Sequence, residues 1–502
     1  MTEHQIVTGD TLGVWFSDNL VGHLKRKSEN IVDIAFSYSD EWLTHPGAFP
    51  ISLTMPMSAR EYGPETVYPW FMNLLPEGRA LQIVGNVLKV AEIDVFAMIE
   101  EMGGDLPGAL AIRRHADPVA SYGHPPGVRR LTEAELADCI RLLPERPVLV
   151  GSEGVSMSMA GAQDKLPVIR MKGGQLALPL YGMPSTHILK PRNKKFRDSV
   201  PNEAYCMMLA KAVGLQVAPV SIGHAEDIDY LLVRRYDRVI DGGTIRRIHQ
   251  EDLCQATGFP PYLKYEWNQE IQKHGPSLAD CMGAIGRAPG GAMNRIRFFE
   301  AMLFNILTGN VDAHLKNYSL LIKSGGQIEF APIYDVMNGD IYPGVTRNLA
   351  MKVADKQRGG HLHGRHWERF ADENGLSPTH IKNRVAAISK SVLEKAPIVA
   401  EDMANTFGDA GVYQEIFKYV CDYCRRMLSN LKTTPDAEDT QTIAALPRLA
   451  PARPKKGKAA DDLDVDAALK RINAAEEEAH KRRDEAKPED DTPSSSRCPG
   501  EP

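Results

Sequence analysis

The segment from Leu307 to Met337 constrains the fold of this chain more than any other. It contains two apolar runs, residues 318–322 and 328–333, which are separated by the turn-forming triplet at 324–326. Two strand-like runs around a glycine-rich turn are typical of a β-hairpin. Because a hairpin brings its first and last residues side by side, we expect the polar residues that flank these runs to meet.

Three polar side chains flank the predicted hairpin: Asp312 lies upstream, Asn317 stands where it opens, and Asp335 where it closes. Such a set suits phosphoryl transfer, in which one Asp accepts a hydroxyl proton while an Asn and a second Asp hold Mg²⁺. The spacing Asp-x-x-x-x-Asn, followed by Asp beyond a hairpin, is that of kinase catalytic loops. The alternative is that all three are ordinary turn residues; their predicted convergence favours a function.

Composition limits the other possibilities. The chain has 502 residues, enough for two or more cores and a tail, and its hydrophobic fraction of 43% is typical of a soluble protein. A net charge of −6 offers no general electrostatic reason to bind nucleic acid. The pattern predicts neither a signal peptide nor a membrane span. Seven scattered cysteines suit a reducing, cytoplasmic location, and Cys421 and Cys424 fit a buried helix face better than a zinc site.

The chain divides into four predicted regions. Residues 10–115 predict an α+β unit with no evident chemical group, and residues 116–238 predict a nucleotide-binding lobe that follows a proline-rich connection. Residues 239–432 predict a mainly helical lobe, in which an amphipathic helix at 292–307 leads to Asp312. Residues 433–502 have no aromatic residues and abundant charge, so they are predicted to be disordered.

The second region contains a candidate phosphate-binding loop. Small residues from Ser156 onward precede Lys165 and a strand at 166–171, and small residues let backbone N–H groups approach phosphate oxygens. The alternative is a plain hairpin connection, because the loop contains little glycine. We expect the loop to be exposed, which makes Ser158 a candidate for phosphorylation as well as for a turn.

Lys190 ends a strand predicted at 186–190, and a lysine there could contact nucleotide phosphates or merely be solvated. Asn202 and Glu203 are expected to open the next helix. The Glu203 carboxylate could interact favourably with the helix dipole in the first turn, or it could pair with Lys190. The sequence leaves both open. A strand at 230–238 is placed at the hinge between lobes. Residues 250–252 are expected to open a further helix, with their acidic side chains as caps.

These motifs, in this order, resemble the HipA family of bacterial serine/threonine kinases, the toxins of HipA–HipB toxin–antitoxin pairs. The resemblance covers roughly residues 12–431. It implies an α+β, two-lobed, HipA- and kinase-like fold, with a mixed α/β N-terminal lobe, a mainly α-helical C-terminal lobe and a disordered tail. The motifs that carry it are residues 71–78, 104–109, 158–165, 186–190, Asn202-Glu203, residues 236–238, 250–255, 312–317 and Tyr334-Asp335.

The resemblance implies ATP and Mg²⁺ as cofactors. Asp312 would be the catalytic base, Asn317 and Asp335 would hold Mg²⁺, and Ser158 would be autophosphorylated, which ejects the phosphate loop and silences the kinase. The implied ATP-binding residues are Ala160, Gly161, Ala162, Gln163, Asp164 and Lys165 in the phosphate loop, Lys190 at the phosphates, Arg234, Arg235 and Tyr236 at the adenine, and His314, Lys316, Asn317, Tyr334 and Asp335 in the rest of the site.

The resemblance also implies partners. A small helix-turn-helix antitoxin like HipB would hold the toxin inactive and bind operator DNA, so this chain would reach DNA only indirectly. The protein substrate would be an aminoacyl-tRNA synthetase, chiefly the glutamyl enzyme, and no membrane is implied. The chain departs from the family at Val311 and Leu315 beside the predicted base, and at Arg234, where some members have an acidic hinge residue.

Two other functions stay open at this point. One is a kinase of small molecules or lipids on the same scaffold, which a closed apolar pocket beside Asp312 would favour. The other is a degenerate kinase fold that acts as a corepressor with a DNA-binding partner. The intact set of Asp312, Asn317, Asp335 and Lys190 argues against the second.

Overall fold

The computed structural model describes residues 9–115, 121, 123–241, 244–408 and 410–432. The disorder predicted for residues 433–502 lies outside this set. The predicted boundaries between regions stay predictions.

Residues 11–113 combine an antiparallel sheet, in the order β4-β3-β2-β1-β5, with helices. Leu12 pairs with Leu24 across β1 and β2, and Val14 pairs with Ile112 of β5, so that alternate apolar residues share one buried face. The elements are β1 (Thr11–Phe16), β2 (Asn19–Arg26), β3 (Ile34–Tyr38), α1 (Asp40–Thr44), β4 (Glu61–Tyr62), α2 (Pro64–Met72), α3 (Arg79–Leu88), α4 (Val95–Met102) and β5 (Leu110–Arg113).

A six-stranded antiparallel sheet follows, in the order β10-β11-β9-β7-β8-β6. Its elements are β6 (Gly127–Arg130), α5 (Glu133–Leu142), β7 (Leu166–Arg170), β8 (Leu176–Leu180), β9 (His187–Pro191), α6 (Ser199–Ala212), β10 (Val220–Ala225) and β11 (Ile228–Arg234). Within the central strand β9, Leu189 packs in the apolar cluster that includes α5. Since side chains alternate along a strand, Lys190 projects to the opposite face.

The remaining described elements surround a three-stranded sheet, β14-β17-β18. They are β12 (Arg238–Asp241), β13 (Thr244–Arg247), β14 (His249–Asp252), α7 (Leu253–Thr257), β15 (Trp267–Asn268), β16 (Lys273–His274), α8 (Leu278–Arg287), α9 (Gly291–Leu307), β17 (Ser319–Ile322), β18 (Ile328–Phe330), α10 (Gly364–Glu373), α11 (Pro378–Phe407) and α12 (Ala410–Asn430). The predicted hairpin is confirmed as β17–β18, with Leu320 opposite Phe330. Gly325 and Gly326 turn the chain at φ angles of 76° and 77°.

Of two helix starts predicted from the sequence, one is wrong and one is correct only in part. α6 begins at Ser199, so Asn202 and Glu203 lie in its second turn. A helix does begin after residues 250–252, as predicted, since α7 starts at Leu253 and Asp252 caps it by accepting from the Gln255 N–H. Glu251 is not a cap, because β14 pairs there with β17. Pairing with a strand that is distant in the sequence overrides the local capping pattern. β6, β12–β13 and β15–β16 were not predicted.

Buried apolar side chains form one large cluster from Leu12 in β1 to Met427 in α12. A second, smaller cluster lies between α5 and the six-stranded sheet. Residues 11–113 therefore share a core with the helical part of the chain. Within the described ranges, no helix is both long enough and apolar enough to cross a bilayer.

A buried ionic network also joins the segment at Asp105 and Gly108 to the segment that follows β11. The Arg235 guanidinium donates to Asp237 Oδ1 at 2.9 Å and Oδ2 at 2.7 Å, and Arg238 Nη2 donates to Asp105 Oδ1 at 2.9 Å. The Gly108 N–H donates to Asp237 Oδ2 at 2.8 Å. Burial by itself would raise the pKa of Asp237, but the two guanidinium groups overcome this effect and hold that pKa well below its usual range.

The substitution Asp237→Ala should destabilise the fold by about 3–5 kcal/mol, because it removes one of the two carboxylates that the buried Arg235 and Arg238 share and leaves only Asp105 to balance them. Urea denaturation followed by circular dichroism measures this loss. The control is Glu61→Ala, which breaks the exposed Lys27–Glu61 pair and should leave the unfolding midpoint unchanged. Equal midpoints for the two variants would contradict a structural role for the network.

Candidate active site

A cavity of about 300 Å³ lies where the six-stranded sheet, the predicted phosphate loop and the β17–β18 hairpin meet. Fifteen of the predicted site residues line it, whereas Ser158 and Asp164 do not. The predicted residues that line it are Ala160, Gly161, Ala162, Gln163, Lys165, Lys190, Arg234, Arg235, Tyr236, Asp312, His314, Lys316, Asn317, Tyr334 and Asp335.

The flanks of the hairpin meet as the sequence predicts. The Asn317 side-chain amide lies 3.5 Å from the backbone carbonyl of Asp335. Asn310 ties the same region together, since its Nδ2 donates to the Asp335 carbonyl at 3.2 Å and its Oδ1 accepts from the Asp312 N–H at 3.2 Å. The buried Asn310 carboxamide therefore sets the distance between the backbones of Asp312 and Asp335. Sequence reasoning missed Asn310, for which the only signal was the Gly309-Asn310 turn pattern.

Lys190 stands between two carboxylates. Its ammonium group donates to Glu203 Oε1 at 2.7 Å and contacts Asp335 Oδ1. Of the two roles that the sequence left open for Glu203, the structure shows the pairing with Lys190. Asp335 has a φ angle of 57°, a left-handed conformation that costs a non-glycine residue about 1–2 kcal/mol and is concentrated at functional sites.

Asp312 lies at the mouth of the cleft, where its side chain is exposed. Its Oδ1 accepts a hydrogen bond of 2.5 Å from the hydroxyl group of Tyr265. The protein groups around it reduce its hydration and raise the pKa of Asp312, an effect that the Tyr265 hydrogen bond and the Lys264 ammonium oppose. A carboxylate with a raised pKa at an open site suits the acceptance of a proton.

The phosphate-loop candidate curls around the Lys165 side chain, whose Nζ donates to the Ala160 carbonyl at 2.5 Å. Gly161 has a φ angle of 100°, and a Cβ atom there would stand 2.7 Å from Lys165 Nζ, so this position requires glycine. Burial, followed by repulsion from Lys190, lowers the pKa of Lys165 to about 7. The loop rests on the N-terminal part, where the Glu77 N–H donates to the Gly161 carbonyl at 3.4 Å.

Ser158 is not on an exposed loop, contrary to the sequence-based expectation. Its side chain is fully buried, and its hydroxyl donates to the Leu74 carbonyl at 2.7 Å. The backbone explains this burial, because residues Asp105 and Met157 form a parallel bridge and the Ser158 N–H donates to the Asp105 carbonyl. The local composition predicted an exposed turn, but the segment at Asp105, which is distant in the sequence, pairs with the loop and covers it.

The predicted hinge contains one exposed and one buried arginine side chain. Arg234 is exposed, whereas the Arg235 side chain points into the buried ionic network, so only its backbone is available to a ligand. The ring of Tyr236 lies 5.6 Å from that of Tyr334. Apolar side chains complete this part of the cavity: Ile188, Ala218, Val233 and Met337. A flat apolar ring system fits such a slot.

Lys316 lines the cavity, but protein groups hold its ammonium. It donates to the Asn73 carbonyl at 2.9 Å, to Asn73 Oδ1 at 2.8 Å and to Asp252 Oδ2 at 2.7 Å. Burial would lower the pKa of Lys316, but the carboxylates of Asp252 and Glu77 overcome it and raise that pKa. Burial and nearby lysines hold the pKa of His314 well below its usual value, so its imidazole is neutral.

Sequence reasoning missed several residues that shape the cleft. Asn73 and Glu77 reach it from the N-terminal part, and Lys264 pairs with Glu77 at 2.7 Å. Asp252 reaches it from the end of β14. Three of these positions lie in motifs that support the family resemblance, at 71–78 and 250–255, but periodicity alone assigns them no chemistry.

Comparisons with known proteins show which family sequences this chain matches. The profile described as the HipA N-terminal domain matches residues 12–113, and that of the HipA-like C-terminal domain matches residues 157–396. "Putative kinase Y4mE" of Sinorhizobium fredii is 35% identical over 408 residues, which cover 80% of this chain and 95% of that protein. "Serine/threonine-protein kinase toxin HipA" of Shewanella oneidensis is 29% identical over 410 residues, covering 79% and 92%.

A solved structure of the Shewanella oneidensis HipA, HipB and operator DNA complex superposes with a TM-score of 0.72. Its matched chain is 26% identical, and the match covers 84% of this chain and 98% of that one. This likeness confirms the α+β, HipA-like fold predicted from the sequence.

Beneath the cleft, Glu251 of β14 is fully buried beside Asp252. Its carboxylate accepts from the Ser52 hydroxyl at 2.6 Å, the Leu53 N–H at 2.9 Å and the Trp70 indole N–H at 3.3 Å. Burial outweighs these hydrogen bonds and raises the pKa of Glu251 to about 7. The folded chain therefore binds a proton at Glu251 more tightly than the unfolded chain, in which the pKa of this residue is 4.5.

Because the folded-state pKa of Glu251 is raised, its stabilising contribution below pH 4.5 is lost as the pH rises to about 7. Glu251→Gln has no such group, so its free energy of unfolding should match that of the wild type near pH 4.5 and exceed it by about 3 kcal/mol at pH 8. Urea denaturation at both pH values measures the difference. A difference that is independent of pH would show that Glu251 has an ordinary pKa.

Proposed function

Because this chain belongs to the HipA family, we propose that it is an ATP- and Mg²⁺-dependent serine/threonine protein kinase. The observation that carries the proposal is the meeting of Lys190, Asn317 and Asp335 in one cleft whose mouth holds Asp312. Phosphoryl transfer is catalysed mainly by positioning and by electrostatic stabilisation, and these groups supply both.

The nucleotide would lie along the cleft. The apolar slot beside Tyr236 would take the adenine, while Lys190, Lys165 and the N–H groups of the phosphate loop would face the phosphates. Asn317 and Asp335 line the cleft and offer two hard oxygen ligands. This fits Mg²⁺, which binds few protein ligands together with phosphate oxygens and, when bound, neutralises phosphate charge.

The transfer itself would use Asp312. A serine or threonine hydroxyl oxygen attacks the γ-phosphorus, the bond to the bridging oxygen breaks, and ADP leaves with the bond's electrons. The hydroxyl proton passes to the Asp312 carboxylate, whose raised pKa favours acceptance. Lys190 stabilises the charge that moves onto the phosphate oxygens.

The family resemblance supports a finer proposal for regulation. This kinase would be a toxin whose substrate is an aminoacyl-tRNA synthetase, chiefly the glutamyl enzyme, and a HipB-like antitoxin bound to operator DNA would restrain it. The support is the likeness to a HipA protein that was solved with HipB and operator DNA. Self-phosphorylation of Ser158 would displace the phosphate loop, because a phosphate dianion cannot be accommodated where the buried hydroxyl contacts Leu74.

Asp312→Ala should lower phosphate transfer from labelled ATP by at least about 100-fold, because the proton acceptor is lost. The assay uses purified protein with Mg²⁺, alone and with cell extract. Asp422→Asn, an exposed carboxylate on α12, is the control and should retain full activity. Undiminished transfer by Asp312→Ala would reject this residue as the base.

Ser158→Ala should abolish self-labelling while transfer to proteins in the extract continues, because the substitution removes the acceptor oxygen and one hydrogen bond to Leu74 but none of the groups that line the cleft. Phosphopeptide mass spectrometry of the wild-type protein identifies the labelled residue. Self-labelling that persists unchanged in this variant would place the modified residue elsewhere.

ATP binding should be coupled to proton uptake at Lys165. The pKa of this lysine is lowered to about 7 in the free protein, and a triphosphate beside it favours the ammonium form. At pH 8 binding should take up close to one proton, and the affinity should fall as the pH rises above 7. Isothermal titration calorimetry in buffers of different ionisation enthalpy measures the uptake, which Lys165→Met should remove. Equal uptake by both proteins would contradict the assignment.

A further inference from the structure

The dipeptide Lys264-Tyr265 is attached to the loop that carries Asp312. The Tyr265 hydroxyl donates to Asp312 Oδ1 at 2.5 Å, and the Lys264 carbonyl accepts from the Leu315 N–H at 3.1 Å. The ring of Tyr265 also packs edge-on against His314, with centroids 5.2 Å apart. Three different contacts thus connect two adjacent residues to one short loop.

The same dipeptide is anchored from the N-terminal part of the chain. Glu77, which follows α2, pairs with the Lys264 ammonium at 2.7 Å, and their side chains are 12% and 16% exposed. Burial would raise the pKa of Glu77, but Lys264 and then Lys316 overcome it and lower that pKa, so the carboxylate stays charged. A largely buried ion pair of this kind holds its partners in one geometry.

We infer that Tyr265 is a positioning residue for Asp312, and that the Glu77–Lys264 ion pair holds Tyr265 in place. This inference rests on the proposed role of Asp312 as the base. A carboxylate at an exposed cleft mouth is free to rotate, and a hydrogen bond to Oδ1 restricts it so that Oδ2 faces the substrate hydroxyl. The N-terminal part of the chain thereby becomes part of the catalytic machinery.

The hydrogen bond also affects the charge of Asp312. A hydroxyl donor stabilises the ionised carboxylate, and it therefore opposes the rise in the pKa of Asp312 that its reduced hydration causes. Without it, Asp312 would remain protonated to a higher pH and would be a misaligned acceptor. The Tyr265 hydrogen bond therefore affects both the orientation and the pKa of Asp312, so the pH dependence of kcat tests its role.

The first test is Tyr265→Phe, which retains the ring and its packing against His314. We expect kcat to fall between about 10-fold and 100-fold, since misplacement of a catalytic group has effects of this size. The KM for ATP should change less than about twofold. The acid limb of the kcat profile should shift to higher pH, because the pKa of Asp312 rises when the donor is lost.

The matched control is Tyr262→Phe. Tyr262 lies three residues earlier, and its buried hydroxyl has no hydrogen-bond partner among the described residues. Removal of that hydroxyl should leave kcat and the acid limb unchanged. If Tyr262→Phe and Tyr265→Phe behave alike, the effect is not specific to the contact with Asp312 and the inference is overturned.

The role of Glu77 is tested by Glu77→Gln, alone and combined with Tyr265→Phe. If both residues act through one hydrogen bond, the double variant should lose little more kcat than Tyr265→Phe alone. Fully additive losses would show that Glu77 acts independently of Tyr265.

The inference and the proposed function fail in different ways. An active Asp312→Ala variant would reject the base itself. An inactive Asp312→Ala, together with a Tyr265→Phe that matches the wild type in kcat and acid limb, would reject only the positioning role. A carbon-13 NMR titration of labelled aspartate carboxyl groups tests the hydrogen bond independently of catalytic activity. The Asp312 signal is assigned as the one that is missing from the spectrum of Asp312→Asn. The pKa of Asp312 should be higher in Tyr265→Phe, and an unchanged value would overturn the inference.

Discussion

The ammonium group of Lys190 lies between the carboxylates of Glu203 and Asp335, and the form of the cleft depends on this contact. It joins three elements that are distant in the sequence: the central strand β9, the helix α6 and the segment after β18. A charged lysine in so enclosed a position requires anionic partners, because burial of an unpaired ammonium is costly. The same requirement fixes the position of the lysine in the cleft.

The N-terminal part of the chain does more than cover one face of this cleft. Asn73 holds the Lys316 ammonium, the Leu74 carbonyl holds the Ser158 hydroxyl, and Glu77 contacts both Gly161 and Lys264. A stretch of five residues therefore touches the phosphate loop and the loop of Asp312 together. With the shared apolar core and the buried network around Asp237, this makes the active-site geometry depend on residues about 240 positions from Asp312 in the chain.

Much of the candidate site was predictable because its residues flank a regular element. A hairpin imposes proximity on its ends, so Asn317 and Asp335 could be placed together before any coordinates were known. Strand alternation likewise accounts for the side of the sheet on which Lys190 lies. The failures occurred where distant backbone pairing decided the outcome. Ser158 is buried by a bridge to the segment at Asp105, and Glu251 extends along β17 instead of capping the helix that follows.

The amino-acid sequence by itself determined the hairpin, the amphipathic helix that precedes Asp312 and the identity of the polar groups around them. These features depend on local periodicity and turn chemistry, which act over a few residues. Only the tertiary structure decided that Glu203 pairs with Lys190, that Asn310 spaces the two Asp backbones, and that Tyr265 reaches Asp312. Such contacts depend on how separate elements pack, and no local pattern in the chain encodes the distance between them.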